Sequence, residues 1–65
     1  MDVDLVALDA ALVKLERYEA ELHRIVELRY FGGLTIEETA EVLNTSASSV
    51  KRQWILAKTW LFREM

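Results

Sequence analysis

Sixty-five residues, with eight Lys or Arg against eleven Asp or Glu and a net charge of −3, make one domain at most, built on one small core. No cysteine is present, so neither a disulfide framework nor a thiolate zinc site can supplement that core. No apolar run approaches the roughly 20 residues of a membrane span, and the opening MDVDLVALD is acidic where a secretory signal is basic. A soluble, cytoplasmic chain without membrane attachment is expected.

Proline is absent and glycine occurs only as Gly32-Gly33, while helix-forming Ala, Leu, Glu, Lys and Arg abound, so the predicted fold class is all-α. The first helix is expected from about Asp4 to Tyr18, where Leu5, Leu8, Leu12 and Leu15 recur at helical spacing as one apolar stripe. Asp2, Asp4 and Asp9 gather at its start, where the helix dipole favours carboxylates. A second helix begins near Glu19 and carries Leu22, Ile25, Val26 and Leu28 toward Tyr30 and Phe31. No Gly or Pro separates these two helices, so one bent helix is the alternative. Gly32-Gly33 ends the second helix, since glycine readily supplies the positive φ of a C-terminal cap, and Leu34 is expected in the core just beyond.

Thr35 followed by Glu38 fits a capping box and starts the third helix. Ile36, Thr39, Ala40 and Leu43 face inward, and Asn44, which tolerates the left-handed region, ends it. Ser46 then caps the last helix by accepting from the N–H groups of Ser48 and Ser49. The result is a four-helix domain spanning 1–65, with a helix-turn-helix over about 35–64 and no wing.

The spacing of Ala40, Asn44 and Val50 meets three demands of a helix-turn-helix. A small residue sits where the helices cross, a residue tolerant of positive φ occupies the turn, and an aliphatic residue returns to the core on the second helix. From these residues alone, the alternative is an ordinary helical hairpin with a short polar turn. On a helical wheel of the last segment, Val50, Trp54, Ala57 and Leu61 form the core side. Ser48, Lys51, Arg52, Ile55 and Thr59 lie roughly opposite, a face suited to a major groove, where Lys51 or Arg52 could reach guanine O6 and N7.

Charge supports that reading locally. From Met1 to Thr45 ten carboxylates oppose four cations, giving −6, whereas from Ser46 to Met65 four cations oppose only Glu64, giving +3. Phosphate attraction acts within a Debye length of about 8 to 10 Å, so the basic segment counts for more than the total. The acidic remainder predicts weak DNA binding by the domain alone.

The stretch ELRYFGGLTIEETAEVLNTSASSVKRQW from Glu27 to Trp54, followed by AKTWLFREM from Ala57, resembles region 4 of extracytoplasmic-function (ECF) sigma factors of the sigma-70 family. The Arg-aromatic pair before a Gly-Leu-Thr turn, the Glu-Glu-x-Ala helix and the Ser-Val-Lys start of the recognition helix match in order and spacing. Trp54 and the run from Ala57 to Leu61 are similar to the ECF-like subgroup. The resemblance implies recognition of the promoter −35 element in double-stranded DNA while held by the β-subunit flap of RNA polymerase. It places DNA contacts on Arg29, Thr35, Ser48, Ser49, Lys51, Arg52, Ile55 and Leu56, with Thr35 acting through phosphate. For Arg29, a cation complementing a helix C-terminus is the alternative reading, and the resemblance tips it toward DNA.

Two positions depart from the family pattern. Leu56 stands where a basic residue is common, removing a phosphate or base contact, and Asn44 stands where glycine is common. Region 2, which a sigma factor needs to bind the polymerase clamp and melt the −10 element, is not in this chain. An excised domain, a truncated product or a stand-alone relative is expected.

Ile55, Leu56, Trp60 and Phe62 exceed what so small a domain can bury. Edge packing is the bland reading and is expected for Trp60. Trp60 and Phe62 are also the candidates for docking to the polymerase flap, an anti-sigma factor or the missing region 2. No enzymatic constellation is found: His23 lacks a second ligand and reads as a solvated surface residue, and Glu37, Glu38 and Glu41 are explained by capping and solvation. No metal and no cofactor are expected, and the chain is read as a monomer. The rival readings are a helix-turn-helix regulator working without polymerase, and a helical interaction module with a merely solvated basic face.

Overall fold

The computed structural model of the chain describes residues 5–65. Four α-helices follow in order: α1 (Leu5–Tyr18), α2 (Ala20–Val26), α3 (Ile36–Leu43) and α4 (Ala47–Glu64), with a π-helical turn, Glu27–Phe31, continuing α2. No strand occurs among the described residues, so the all-α expectation holds. Asp2 and Asp4, assigned to the start of the first helix, lie outside the described residues.

α1 buries Ala11 and Leu15, one helical turn apart on the same side. Leu8 and Leu12 are half-buried beside them. The expected stripe is therefore shifted, because Leu5 at the helix start is 73% exposed.

Two helices form, broken at Glu19, whose backbone is extended (φ −151°, ψ 93°). Two backbone hydrogen bonds span the break. Glu19 N–H donates to Leu15 O at 2.7 Å, and its own carbonyl accepts from His23 N at 3.1 Å. The anchor at this bend is tertiary: Tyr18 stacks on Trp60 of α4, ring centroids 5.9 Å apart and planes 11° from parallel.

α2 buries Ile25 and Val26 and then widens. Gly32 N–H reaches Glu27 O at 2.8 Å, an i to i+5 bond, and Leu34 N–H closes on Leu28 O at 3.0 Å. The two glycines do different jobs. Gly33 supplies the positive φ of 69°, whereas a Cβ at Gly32 would lie 2.8 Å from the Leu28 carbonyl oxygen. Tyr30 and Phe31, at the end of the π-helical turn, are exposed, and Leu34 is half-buried.

α3 starts at the expected capping box: Thr35 Oγ1 accepts from Glu38 N at 3.0 Å, and the Glu38 carboxylate accepts from Thr35 N at 2.9 Å. Thr39 is wholly buried, but its hydroxyl donates to Thr35 O at 2.8 Å, so no polar group is stranded. Ala40 is buried, while Ile36 and Leu43 are half-buried. Asn44 adopts the left-handed conformation (φ 54°, ψ 51°), and Thr45 N–H returns to Ala40 O at 3.0 Å. Ser46 caps α4 by accepting from Ser49 N at 3.1 Å; Ser48 N is not involved.

α4 packs against α1, α2 and α3 alike. Val50, Ala57 and Leu61 are its buried residues, as the wheel predicts. One core cluster joins Ala11, Leu15, Val26, Ala57 and Leu61, with Leu12, Leu22, Trp54 and Trp60 packed on its margin.

Candidate nucleic-acid interface

The turn at Asn44 and the small Ala40 hold α3 against α4 so that the outer side of α4 stays clear of the core. Ser48, Lys51, Arg52, Ile55 and Leu56 are all exposed and line one shallow depression. Among the described residues Lys51 and Arg52 make no ion pair; the salt bridges join Lys14 to Glu64 and His23 to Glu16 and Glu27. Their charge is thus available to an external anion. Ile55 and Leu56, at 52% and 55% exposure, add apolar surface of the kind that meets a thymine methyl.

A second groove, of about 500 Å³, adjoins this face and brings Arg29 beside Ser48, Lys51, Ile55 and Lys58, with Ile36 and Glu37 also in its lining. Arg29 is half-buried. Its Nη1 donates to Leu34 O at 2.7 Å, and its guanidinium lies over the Trp54 ring, 5.1 Å from the centroid. Its Nε is buried without a partner. Beyond complementing a helix end, the side chain ties the π-helical turn to the recognition helix.

The remaining expected contacts divide. Thr35 is exposed at the head of α3 and lines neither groove. Its oxygen accepts within the capping box, which leaves its O–H free to donate. Ser49 is half-buried and its hydroxyl accepts from Ser46 Oγ at 3.0 Å, so it serves the cap as well.

The two aromatic docking candidates part company. Trp60 is half-buried, stacked on Tyr18 and packed on the core margin, the edge packing expected for it. Phe62 is 73% exposed and lines an apolar cleft of about 180 Å³ together with Leu8, Tyr30, Phe31 and Met65. His23 differs from the solvated residue expected. Its side chain is only 15% exposed, with Nδ1 3.4 Å from Glu27 and 3.9 Å from Glu16.

Two participants escaped sequence reasoning. Lys58 lines the groove with its Nζ 5.4 Å from the centroid of the Trp54 ring, and Trp54, taken as core, is half-buried beneath two cations. The spacing of Lys51, Ile55 and Lys58 was a readable signal, since residues at i, i+4 and i+7 share a face. The pairing of Arg29 with Trp54 had none, being tertiary.

α3 and α4 are thus set across a short left-handed turn at Asn44, and the outer face of α4 carries Lys51 and Arg52, cations without an ion pair among the described residues. Among the described residues no cluster of His, Cys, Asp or Glu could hold a metal ion, and no helix is long and apolar enough to cross a membrane. The sequence model of the ECF sigma factor family matches residues 1–65, and the chain belongs to that family. No curated protein and no solved structure matches it. Membership gives the chain a sigma-factor role in bacterial transcription initiation, with RNA polymerase and promoter DNA as the partners the family implies. The family is one of non-enzymatic transcription factors.

Proposed function

We propose that this chain is a region 4-like domain that recognises the promoter −35 element, with α4 in the major groove, while the β-subunit flap of RNA polymerase holds it. The observation that carries the reading is the exposed, unpaired Lys51 and Arg52 on the outer face of α4, flanked by Ser48 and by the Arg29 groove. Lys51 and Arg52 are the candidates for base edges, where a bidentate contact to guanine discriminates by about 1 to 3 kcal/mol. Ser48, Ser49, Thr35 and Arg29 position the helix through phosphates, and Ile55 and Leu56 supply apolar contact. The cleft at Phe62 is the surface offered to the flap or to an anti-sigma factor.

Glu37 and the acidic face of the first three helices oppose a polyanion, which favours weak unaided binding and dependence on the polymerase. The test is a fluorescence titration against duplexes selected from a random pool, repeated across a salt series. Each phosphate neutralised should contribute about −0.9 to the slope of log K against log salt. Arg52→Ala should weaken the selected duplex by about 1 to 3 kcal/mol and relax preference at one position. Binding with neither sequence preference nor salt dependence would sink the reading and favour a helical interaction module.

A further inference from the structure

Trp54 sits at the margin of the core, yet its ring carries two cations: the Arg29 guanidinium at 5.1 Å and the Lys58 ammonium at 5.4 Å from the centroid. Neither cation has a carboxylate partner among the described residues. Both line the same groove as Ser48 and Lys51. An indole attracts a cation without neutralising it, so the ring orders two side chains while leaving their charge for something else. One end of the Arg29 fork is spent on Leu34 O and Nε is buried, so Nη2 is the end that remains.

The separation along α4 identifies the recipient. Lys58 follows Lys51 by two helical turns on the same side, about 10.5 Å along the axis at 1.5 Å per residue. With the N-terminal turn of α4 at base edges, Lys58 lies two turns beyond the residues that read bases, where a long cationic side chain meets the sugar-phosphate backbone. Glu37 is the one carboxylate among the groove's lining residues, and it disfavours phosphate on its own side of that groove, leaving the Trp54 side as the seat.

We propose that Trp54 is a positioning residue that presents Arg29 and Lys58 as a paired clamp for a backbone phosphate of duplex DNA, and that Lys58 is a further contact of the reading head. The inference rests on the proposed insertion of α4 into the major groove. Lys58 acts through charge alone, so it adds affinity and orientation without sequence preference.

The test uses the 65-residue chain and a fluorescein-labelled duplex selected from a random pool, titrated across a salt series beside an unrelated duplex. Lys58→Gln should reduce the salt slope by about 0.9 and weaken both duplexes by the same factor, while Lys58→Arg should restore the slope. Trp54→Phe, which keeps an aromatic face, should retain most of the slope. Trp54→Leu should lose up to two contacts' worth, and because it also thins the core margin, the exposed Lys58 pair decides the matter if that variant unfolds. Wild-type binding with clear sequence preference, together with an unchanged slope for Lys58→Gln, would overturn the clamp and leave −35 recognition standing. Failure of the wild-type chain to bind any duplex in a salt-dependent way would remove both.

Discussion

Replacing Arg29 separates a structural task from a DNA-binding one. In the folded chain its guanidinium donates to Leu34 O and lies over Trp54. A hydrogen bond to a charged group contributes about 1.5 to 3 kcal/mol, and a partly exposed cation–π contact about 0.5 to 1 kcal/mol. The buried, unpaired Nε works in the opposite direction by about 1 to 3 kcal/mol. Arg29→Ala should therefore destabilise the domain by about 1 to 2 kcal/mol, well short of the sum of its favourable contacts. In a domain of this size each kcal/mol moves the melting temperature by about 4 to 8 °C, so a drop of roughly 5 to 15 °C is expected by far-UV circular dichroism. Arg29→Met keeps an unbranched stem against the indole and removes the unpaired nitrogen, so it should fall less. An Arg29→Ala variant melting at the wild-type temperature would refute the view that this side chain ties the π-helical turn to α4. DNA binding measured well below the variant's transition then isolates the phosphate contribution, expected as a slope smaller by about 0.9.

Two further substitutions probe the helix-turn-helix itself. Ala40→Leu inserts bulk at a buried position of α3, which packs on α4, and overpacking of this kind costs about 1 to 3 kcal/mol; urea denaturation should show the loss together with weakened duplex binding. At Asn44, held at φ 54°, a β-branched Val should cost about 1 to 2 kcal/mol. Gly there should stay within about 1 kcal/mol of wild type, because relief of strain is offset by a more flexible unfolded chain; equal midpoints for Val and Gly would show that the turn is not left-handed.

Much of this fold was written in local chemistry. Thr35 with Glu38, Ser46 with Ser49, and Asn44 each act within a few residues of chain, so the residues that cap and turn α3 and α4 could be read directly. The buried side of α4 followed from its period for the same reason. The break at Glu19 was ambiguous because nothing local enforces it, and the ring contact between Tyr18 and Trp60 joins residues far apart in the chain. The π-helical turn was illegible too: a regular 3.6-residue period has no place for its extra residue, and that turn helps bring Arg29 to Trp54. At the interface, the outer face of α4 was visible as a pattern of charge. The double cation on Trp54 was not, since a Trp at a core-facing position looks the same whether its ring is covered by leucine or by arginine.

The length of α4 has a mechanical consequence. The helix is both the spine that every other helix packs on and the element that carries the residues proposed to face DNA, so its two ends move as one rod. From Ser48 to Phe62 that rod is about 21 Å long. A partner seated in the cleft at Phe62 that tilts it by about 5° displaces Ser48 by about 2 Å, several times the roughly 0.5 Å tolerance of a hydrogen bond. Under the proposed docking, whatever grips the C-terminal end of α4 thus holds a lever on base recognition at the other, without touching DNA or unfolding anything between.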